Sequence, residues 1–393
     1  MSKSQFDFYF DLFERGSIPP FYNKILFTEG KDAPIDDLQQ KKKKLMRDNG
    51  LVPVSNVPSY LDPILKSGLK SIKFFQGKGY AILLKDHSTM DMLFAQHYRS
   101  KFRIGVKRSI SRLEACFSIS YKMYHGHIEK RDYDFLMSSL RKMLERRFQQ
   151  LGEKNDRLQE WTRFEGLLYP LINSNKASIF VIFDDKKPID IAFNYHLPPL
   201  FFSAVSSYDI DYSKFGLGNI DLYKQVDWCL KNGYGIFDMG FGDLEYKLKW
   251  ANHTYDFERH LVFGNDALNK VKVYYIKMLY HCKAYLKSKN IDALYKAIKI
   301  VLKGGKKKRK TLANTETTFS DYKIVPFAKT EKHQDLVQLD PNDAGYTFLR
   351  KPIYDFLYSH TEHISNVAVF ELEPYKTYWM KGKENSQTIT FTT

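Results

Sequence analysis

Residues 208–250 read YDIDYSKFGLGNIDLYKQVDWCLKNGYGIFDMGFGDLEYKLKW, and this stretch decides the fold. It opens as a loop over residues 208–218 that ends in Gly216-Leu217-Gly218. A helix follows at once. Asn219 is placed to cap it, Ile220, Tyr223, Val226 and Leu230 line one face, and Gly233 stops it. Residues 235–239 are apolar and extended, and they run into Gly240-Phe241-Gly242. A glycine loop opening a helix offers backbone N–H groups and the positive end of the helix dipole, which is what a pyrophosphate needs. A plain turn would use the same glycines. After the second glycine turn, Asp243, Glu245, Tyr246 and Lys247 bring acid, phenol and amine groups to a strand end.

Toward the N-terminus, residues 178–183, 189–195 and 200–206 are β-branched and aromatic runs joined by tight turns, the first of them Asp184-Asp185-Lys186-Lys187-Pro188. They predict an antiparallel sheet. Before them the period is helical. Residues 92–118 carry Arg99, Lys101, Arg103, Lys107, Arg108 and Arg112, of which Lys101, Arg108 and Arg112 share one helical face. An apolar stripe runs through residues 133–150, and residues 161–171 read as a further helix. Residues 71–75 and 80–84, separated by Gln-Gly-Lys-Gly, read as a hairpin, and the lysines at 41–44 as a solvated helix face. Toward the C-terminus, residues 257–263 form a strand and residues 266–289 and 291–301 two helices. Residues 304–318, with KKKRK at 306–310, form a linker, beyond which residues 353–358 are helical and residues 367–372 and 388–391 extended.

A chain of 393 residues, 43% hydrophobic and 27% charged, is globular and long enough for more than one core. No apolar run is long enough to span a bilayer, and the first residues do not read as a signal peptide. Cys116, Cys229 and Cys282 form neither a CxxC pair nor an even framework, so a reducing cytoplasm is expected. His125 and His127, and His360 and His363, have no evident third ligand, so no metal site is expected. Neither a Gly-x-Ser-x-Gly elbow nor a GxxxxGK[S/T] phosphate loop occurs. A net charge of +16 attracts anions. KKKRK lacks the aromatic interleaving of single-strand binders and reads as solvated linker.

With these motifs in place, residues 98–263 resemble the GNAT-fold acyltransferases grouped with cellulose and exopolysaccharide biosynthesis proteins, which are relatives of the Fem-type peptidoglycan aminoacyl transferases. The resemblance rests on the basic helix KFRIGVKRSISRLE, the helix and antiparallel sheet after it, and the strand end Tyr208-Asp209. It rests most on GYGIFDMGFGDLEYKLKW, through Asp238, Gly240, Gly242, Tyr246, Lys247 and Trp250. It implies an α+β protein of two GNAT-like halves, with mostly antiparallel sheets flanked by helices. The boundaries expected are an N-terminal half over 1–95, the acyltransferase domain over 96–303, a basic linker over 304–320 and a small appended α/β segment over 321–393.

The resemblance also implies a chemistry: transfer of an acyl group from acetyl-CoA or another acyl-CoA to an amine or hydroxyl, on a sugar or cell-envelope polysaccharide precursor, with no permanently bound cofactor. The acceptor would attack the thioester directly, with an oxyanion held by a backbone N–H near residues 203–207. Tyr246 would be the acid for the leaving thiolate, and Asp238 or Glu245 the base or an orienting group. Ser213, Lys214, Gly216, Gly218 and Asn219 would hold the donor. Ser213 stands where the wider GNAT pattern has Arg or Gln, with Lys214 as the neighbouring cation. Lys247, Arg108 and Arg112 would hold an anionic acceptor or a phosphate. The alternatives are a Fem-like enzyme that takes aminoacyl-tRNA, or a GNAT fold that only binds.

Overall fold

The computed structural model describes residues 6–28, 50–152, 156–265, 267–288, 322–326, 336 and 338–391. The stretches expected at 41–44, 291–301 and 304–320 lie outside the described residues. Along the chain the elements are β1 (Phe6–Asp7), α1 (Phe8–Arg15), β2 (Tyr22–Phe27), β3 (Val52–Pro58), β4 (Leu61–Leu65), β5 (Leu69–Leu83), α2 (Met90–His97), α3 (Ser100–Cys116), β6 (Ile119–His125), α4 (Lys130–Leu151), α5 (Asp156–Gln159) and α6 (Trp161–Asn173). Then come β7 (Ala177–Asp184), β8 (Lys187–Leu197), β9 (Leu200–Tyr208), a 3-10 turn (Ile210–Phe215), α7 (Leu217–Lys231), β10 (Ile236–Phe241), α8 (Glu245–Trp250), β11 (His253–Gly264) and α9 (Ala267–Ser288). The last are β12 (Tyr322–Val325), β13 (Gln338–Leu339), α10 (Arg350–His360), β14 (Ala368–Glu373), β15 (Thr377–Lys381) and β16 (Ser386–Phe391). The architecture is mixed α+β, with sheets flanked by helices.

Two compact units divide the chain: Met1–Gly77 with Asp256–Thr318, and Lys78–Tyr255 with Phe319–Thr393. In the first, β3 pairs in parallel with β1 and antiparallel with residues 257–262 of β11, and β2 pairs with β4. Phe74, Leu261, Phe263 and Val273 close a small core there.

In the second unit β6, β7, β8 and β9 are antiparallel neighbours in sequence order, as their alternation predicts. β10 then pairs with β9 in parallel and with residues 79–83 of β5 antiparallel. β7 and β8 are buried on both faces, so both need cover. Phe180, Ile182 and Ala192 meet Leu113 and Cys116 of α3 and Leu217 and Ile220 of α7. Phe193, one residue on and therefore on the opposite face, packs its ring on Phe164 of α6 with centroids 5.3 Å apart. The C-terminal strands form a five-stranded sheet in the order β12-β16-β15-β14-β13, with α10 beside the 3-10 turn and α3.

Three expectations are corrected. The hairpin over 71–75 and 80–84 is the single strand β5; the chain turns before it, at Gly68 with φ +80°. Gly79 stays in line because the Tyr255 ring crosses it: a Cβ there would meet the ring at 2.2 Å. The helix over 92–118 is two helices, α2 and α3, parted by extended backbone at Tyr98 and Arg99. The Tyr98 ring is buried at this break, where its hydroxyl donates to the Trp250 carbonyl. Finally, α7 starts at Leu217, with Gly216 at φ +70° as its cap, so Asn219 lies inside the first turn.

Candidate functional site

Among the described residues of the second unit, β9 and β10 are the only parallel neighbours in this sheet. Their register runs from Leu200 with Ile236 to Phe202 with Asp238 and ends there, although β9 continues to Tyr208 and β10 to Phe241. β10 also shifts register against β5 between Asp238 and Gly240. The cause is local. Asp238 turns its carboxylate back onto the Gly240 N–H at 2.7 Å, and Gly240 adopts φ +73° with the Phe202 ring against its α-carbon. The two strands therefore stop pairing beyond Phe202, and residues 203–207 of β9, paired with β8 on their other side, border this opening in the parallel ladder.

Asp238 is fully buried. Besides the Gly240 N–H, it accepts the Tyr255 hydroxyl on both oxygens, at 2.7 and 2.8 Å. Lys247 is also buried, 6% exposed, and donates to the Phe241 carbonyl at 2.8 Å. Burial lowers its pKa to about 8, against the opposing pull of Asp238 and Asp243. Trp250, fully buried, donates its indole N–H to Asn219 Oδ1 at 2.9 Å. Three residues of the motif that carried the resemblance thus build the turn after β10 and tie α8 to α7.

Tyr246 is different: its residue surface is 42% exposed. Crowding around the hydroxyl, with the Asp221 carboxylate nearby and Arg147 opposing it, raises its pKa to about 12. It therefore keeps its proton across the neutral range. Glu245, beside it, is exposed and pairs with Lys249 at 2.7 Å, which holds its pKa low. Beneath lies a polar layer that periodicity did not pick out. Asp221 and Gln225, one turn apart on α7, are both buried, and Gln225 donates to Asp221 at 2.7 Å. Burial raises the Asp221 pKa to about 7, and burial together with Asp221 raises that of buried Asp190 on β8 well above the carboxylate range. The signal available in the sequence was Asp221-x-x-x-Gln225, a polar pair recurring at helical spacing; the apolar positions drew attention instead. The buried face of α7 is Leu217, Ile220, Asp221, Leu222, Gln225, Val226 and Cys229, while Tyr223 and Leu230 are half-buried.

The expected donor loop is only partly a loop. Ser213 and Lys214 are exposed residues of the 3-10 turn, and Ser213 accepts the Gly216 N–H through its carbonyl at 3.3 Å. Asp209 caps this turn through the Asp211 N–H and is gripped by Arg146 at 2.8 Å and Lys187 at 2.7 Å. Gly218 lies in the first turn of α7, exposed, with no heavy atom within 4 Å of where a Cβ would stand. Lys214 faces Asp355 at 3.5 Å, and Arg112 donates to the Tyr358 carbonyl at 3.1 Å with its guanidinium over the Tyr358 ring. Arg108 is exposed on α3. Trp250 ties α8, which carries Tyr246, to the first turn of α7, while Arg112 and Lys214 turn toward α10. Among the described residues no group of three or more His, Cys, Asp or Glu is placed to hold a metal ion.

Comparison with known proteins falls on this region. Residues 100–248 match the family described as Acetyltransferase (GNAT) domain. The GNAT-like segment thus contains the sheet β6–β10, the 3-10 turn, α7 and Tyr246. No curated protein is detectably similar in sequence. Among solved structures, a conserved protein of unknown function from Bacteroides thetaiotaomicron shares 15% identity over 51% of this chain and 64% of its own, with a TM-score of 0.33. FemX shares 9% over 53% of this chain and 71% of its own, with a TM-score of 0.39. A tandem GNAT protein from the clavulanic acid biosynthesis pathway shares 9% over 54% and 63%, with a TM-score of 0.31. The chain spans less than two thirds of the length of the first and last of these. No helix among the described residues is long and apolar enough to cross a membrane.

Proposed function

We propose that the protein is an acyltransferase that moves an acyl group from a coenzyme A thioester to an amine or hydroxyl acceptor, on a saccharide or cell-envelope precursor. The observation that carries this reading is the strand pair β9–β10, which opens beyond Phe202 and Asp238 beside the first turn of α7, inside the segment that matches the GNAT domain. A helix leaves its first N–H groups without intrahelical acceptors, and here Leu217 and Gly218 present them without a side chain in the way at Gly218. These would take the pyrophosphate. The thioester would lie along β9, where a main-chain N–H of residues 203–207 steadies the oxyanion. The acceptor attacks the thioester carbon, the new C–N or C–O bond forms, and the C–S bond breaks. Tyr246 gives its proton to the departing thiolate. The acceptor's proton passes to water, since Lys249 holds Glu245 low and Asp238 is enclosed. In this reading Asp238 and Lys247 are positioning residues, and Arg108 is the cation available to an anionic substrate.

The test is calorimetric titration with acetyl-CoA and, separately, with an aminoacyl-tRNA. Saturable binding of acetyl-CoA supports the reading. Binding of aminoacyl-tRNA alone would replace it with a Fem-like transfer, a reading favoured by the net charge of +16. Binding of acetyl-CoA without turnover on any amine or hydroxyl would leave a binding protein.

A further inference from the structure

The described C-terminal residues 322–326 and 338–391 lie outside the segment that matches the GNAT domain, yet they share a core with it. Ile353, Phe356 and Leu357 of α10 share a core with Leu113 and Cys116 of α3, with Phe117 just after it, and with Phe215 and Leu217. The Tyr354 ring packs at a tilt on Tyr212 of the 3-10 turn with ring centroids 4.4 Å apart, and Tyr358 meets Phe215 at 5.3 Å. The polar contacts converge on the same turn. Asp355, 5% exposed, receives the Tyr322 hydroxyl at 2.6 Å, Lys351 at 3.0 Å and Lys214 at 3.5 Å, all on one oxygen. Arg112, one turn before Cys116 on α3, holds the Tyr358 carbonyl. The 3-10 turn leads directly into Gly216 and the first turn of α7.

We propose that the C-terminal module is a working part of the donor site: it fixes the 3-10 turn Ile210–Phe215, and through it the N–H groups at Leu217 and Gly218, so that Lys214 and Arg112 serve to dock the module and do not themselves bind substrate. The inference rests on the donor reading given above. The turn is held from other sides as well, by Arg146 on Asp209 and Asp211 and by the Tyr212 hydroxyl on Asp184. A 3-10 helix makes poorer hydrogen bonds than an α-helix, and the next residue, Gly216, is at φ +70°, so a neighbouring surface must hold the conformation. α10 supplies one side of that surface, through Tyr354, Tyr358 and Asp355.

A double-mutant cycle in the full chain tests this, with Asp355→Asn, Lys214→Ala and the pair, read by coenzyme A titration and by amide hydrogen exchange over residues 210–219. Asp355→Asn is nearly isosteric and Lys214 is half-exposed, so both variants fold. Each single variant is expected to weaken coenzyme A by up to about fivefold, the range of a partly exposed ion pair, and to speed exchange in the turn. The pair should be no weaker than Asp355→Asn alone, because that change already disturbs the Lys214 contact along with those of Tyr322 and Lys351. Arg112→Ala should raise the donor KM and leave the acceptor KM alone. Weakening by Lys214→Ala with unchanged or tighter binding by Asp355→Asn would overturn the proposal, since Lys214 would then touch the ligand itself. Additive effects, or unchanged affinity in both single variants, would overturn it as well. If the wild-type chain binds no coenzyme A, the donor reading fails and takes this inference with it; the wild-type titration tells that failure from the others.

Discussion

The indole N–H of Trp250 donates to the side-chain oxygen of Asn219 at 2.9 Å, fastening the end of α8 to the first turn of α7. The bond links the turn that carries Tyr246 to the helix end that would receive the donor. Asn219→Ala removes the acceptor and leaves a buried indole N–H without a partner, at a cost of about 1–3 kcal/mol. We expect a lower urea midpoint and weaker coenzyme A binding together. A loss of stability with donor affinity unchanged would show that the bond serves folding alone.

Tyr246→Phe should keep the fold and the donor affinity, because the ring stays in place. Turnover should fall by about 10²–10⁴-fold, the usual contribution of a general acid. Steady-state kinetics beside a calorimetric titration separate the two. Unchanged turnover would remove Tyr246 from the chemistry.

At Gly218 a valine meets open space and no positive φ, so the variant should fold with only the modest penalty of a β-branched residue in a first helical turn. In the proposed reading its side chain would stand in the path of the donor's phosphate oxygens. Coenzyme A affinity should drop by about tenfold or more. Wild-type affinity would show this helix end to be an ordinary turn.

Gly79→Ala tests the Tyr255–Asp238 contact from a distance. The new methyl would stand 2.2 Å from the Tyr255 ring, so the ring must leave or the strand must shift. Overpacking of this kind costs about 1–3 kcal/mol. Tyr255→Phe removes only the hydroxyl and should cost less. If the two variants melt alike, the ring has room that the geometry does not show.

Asp221 sets a pH dependence. Its carboxyl keeps a proton up to about pH 7 when folded, while an unfolded chain releases it near about pH 4. The folded state therefore binds more protons than the unfolded state between these values, and stability falls as pH rises through that window. Asp221→Asn has no such proton to lose. Its advantage over wild type in urea midpoint should widen from about pH 4 to about pH 7 and then level off. A constant difference across that range would mean Asp221 is ionised throughout.

The strands β7, β8 and β9 were legible because β-branched and aromatic runs between turn residues have few other uses. The same held for α4, α6 and α7. The Gln-Gly-Lys-Gly stretch misled, because a glycine needed for close approach looks the same in sequence as one needed for a turn. Tyr255 comes to Gly79 through the fold, and no spacing encodes that meeting. Asn219 looked like a cap from its place after two glycines, yet Gly216 caps the helix and Asn219 answers Trp250. Asp221 and Gln225 were hidden for a related reason: a buried polar pair on a helix declares itself only when the face it shares with the sheet is known. Tyr246 stood out with Lys247 in one dipeptide, but burial sends one inward and leaves the other exposed.

The opening between β9 and β10 follows from connectivity more than from the chemistry of its walls. A parallel pair obliges the chain to cross over between its strands, and here the 3-10 turn and α7 make that crossing, so the helix end arrives next to the gap whichever side chains line it. Only the kink at Asp238 and Gly240 must be kept for the strands to part. The lining residues are then free to drift between lineages without closing the gap, and preference for one acceptor over another can change while the donor's seat stays where it is.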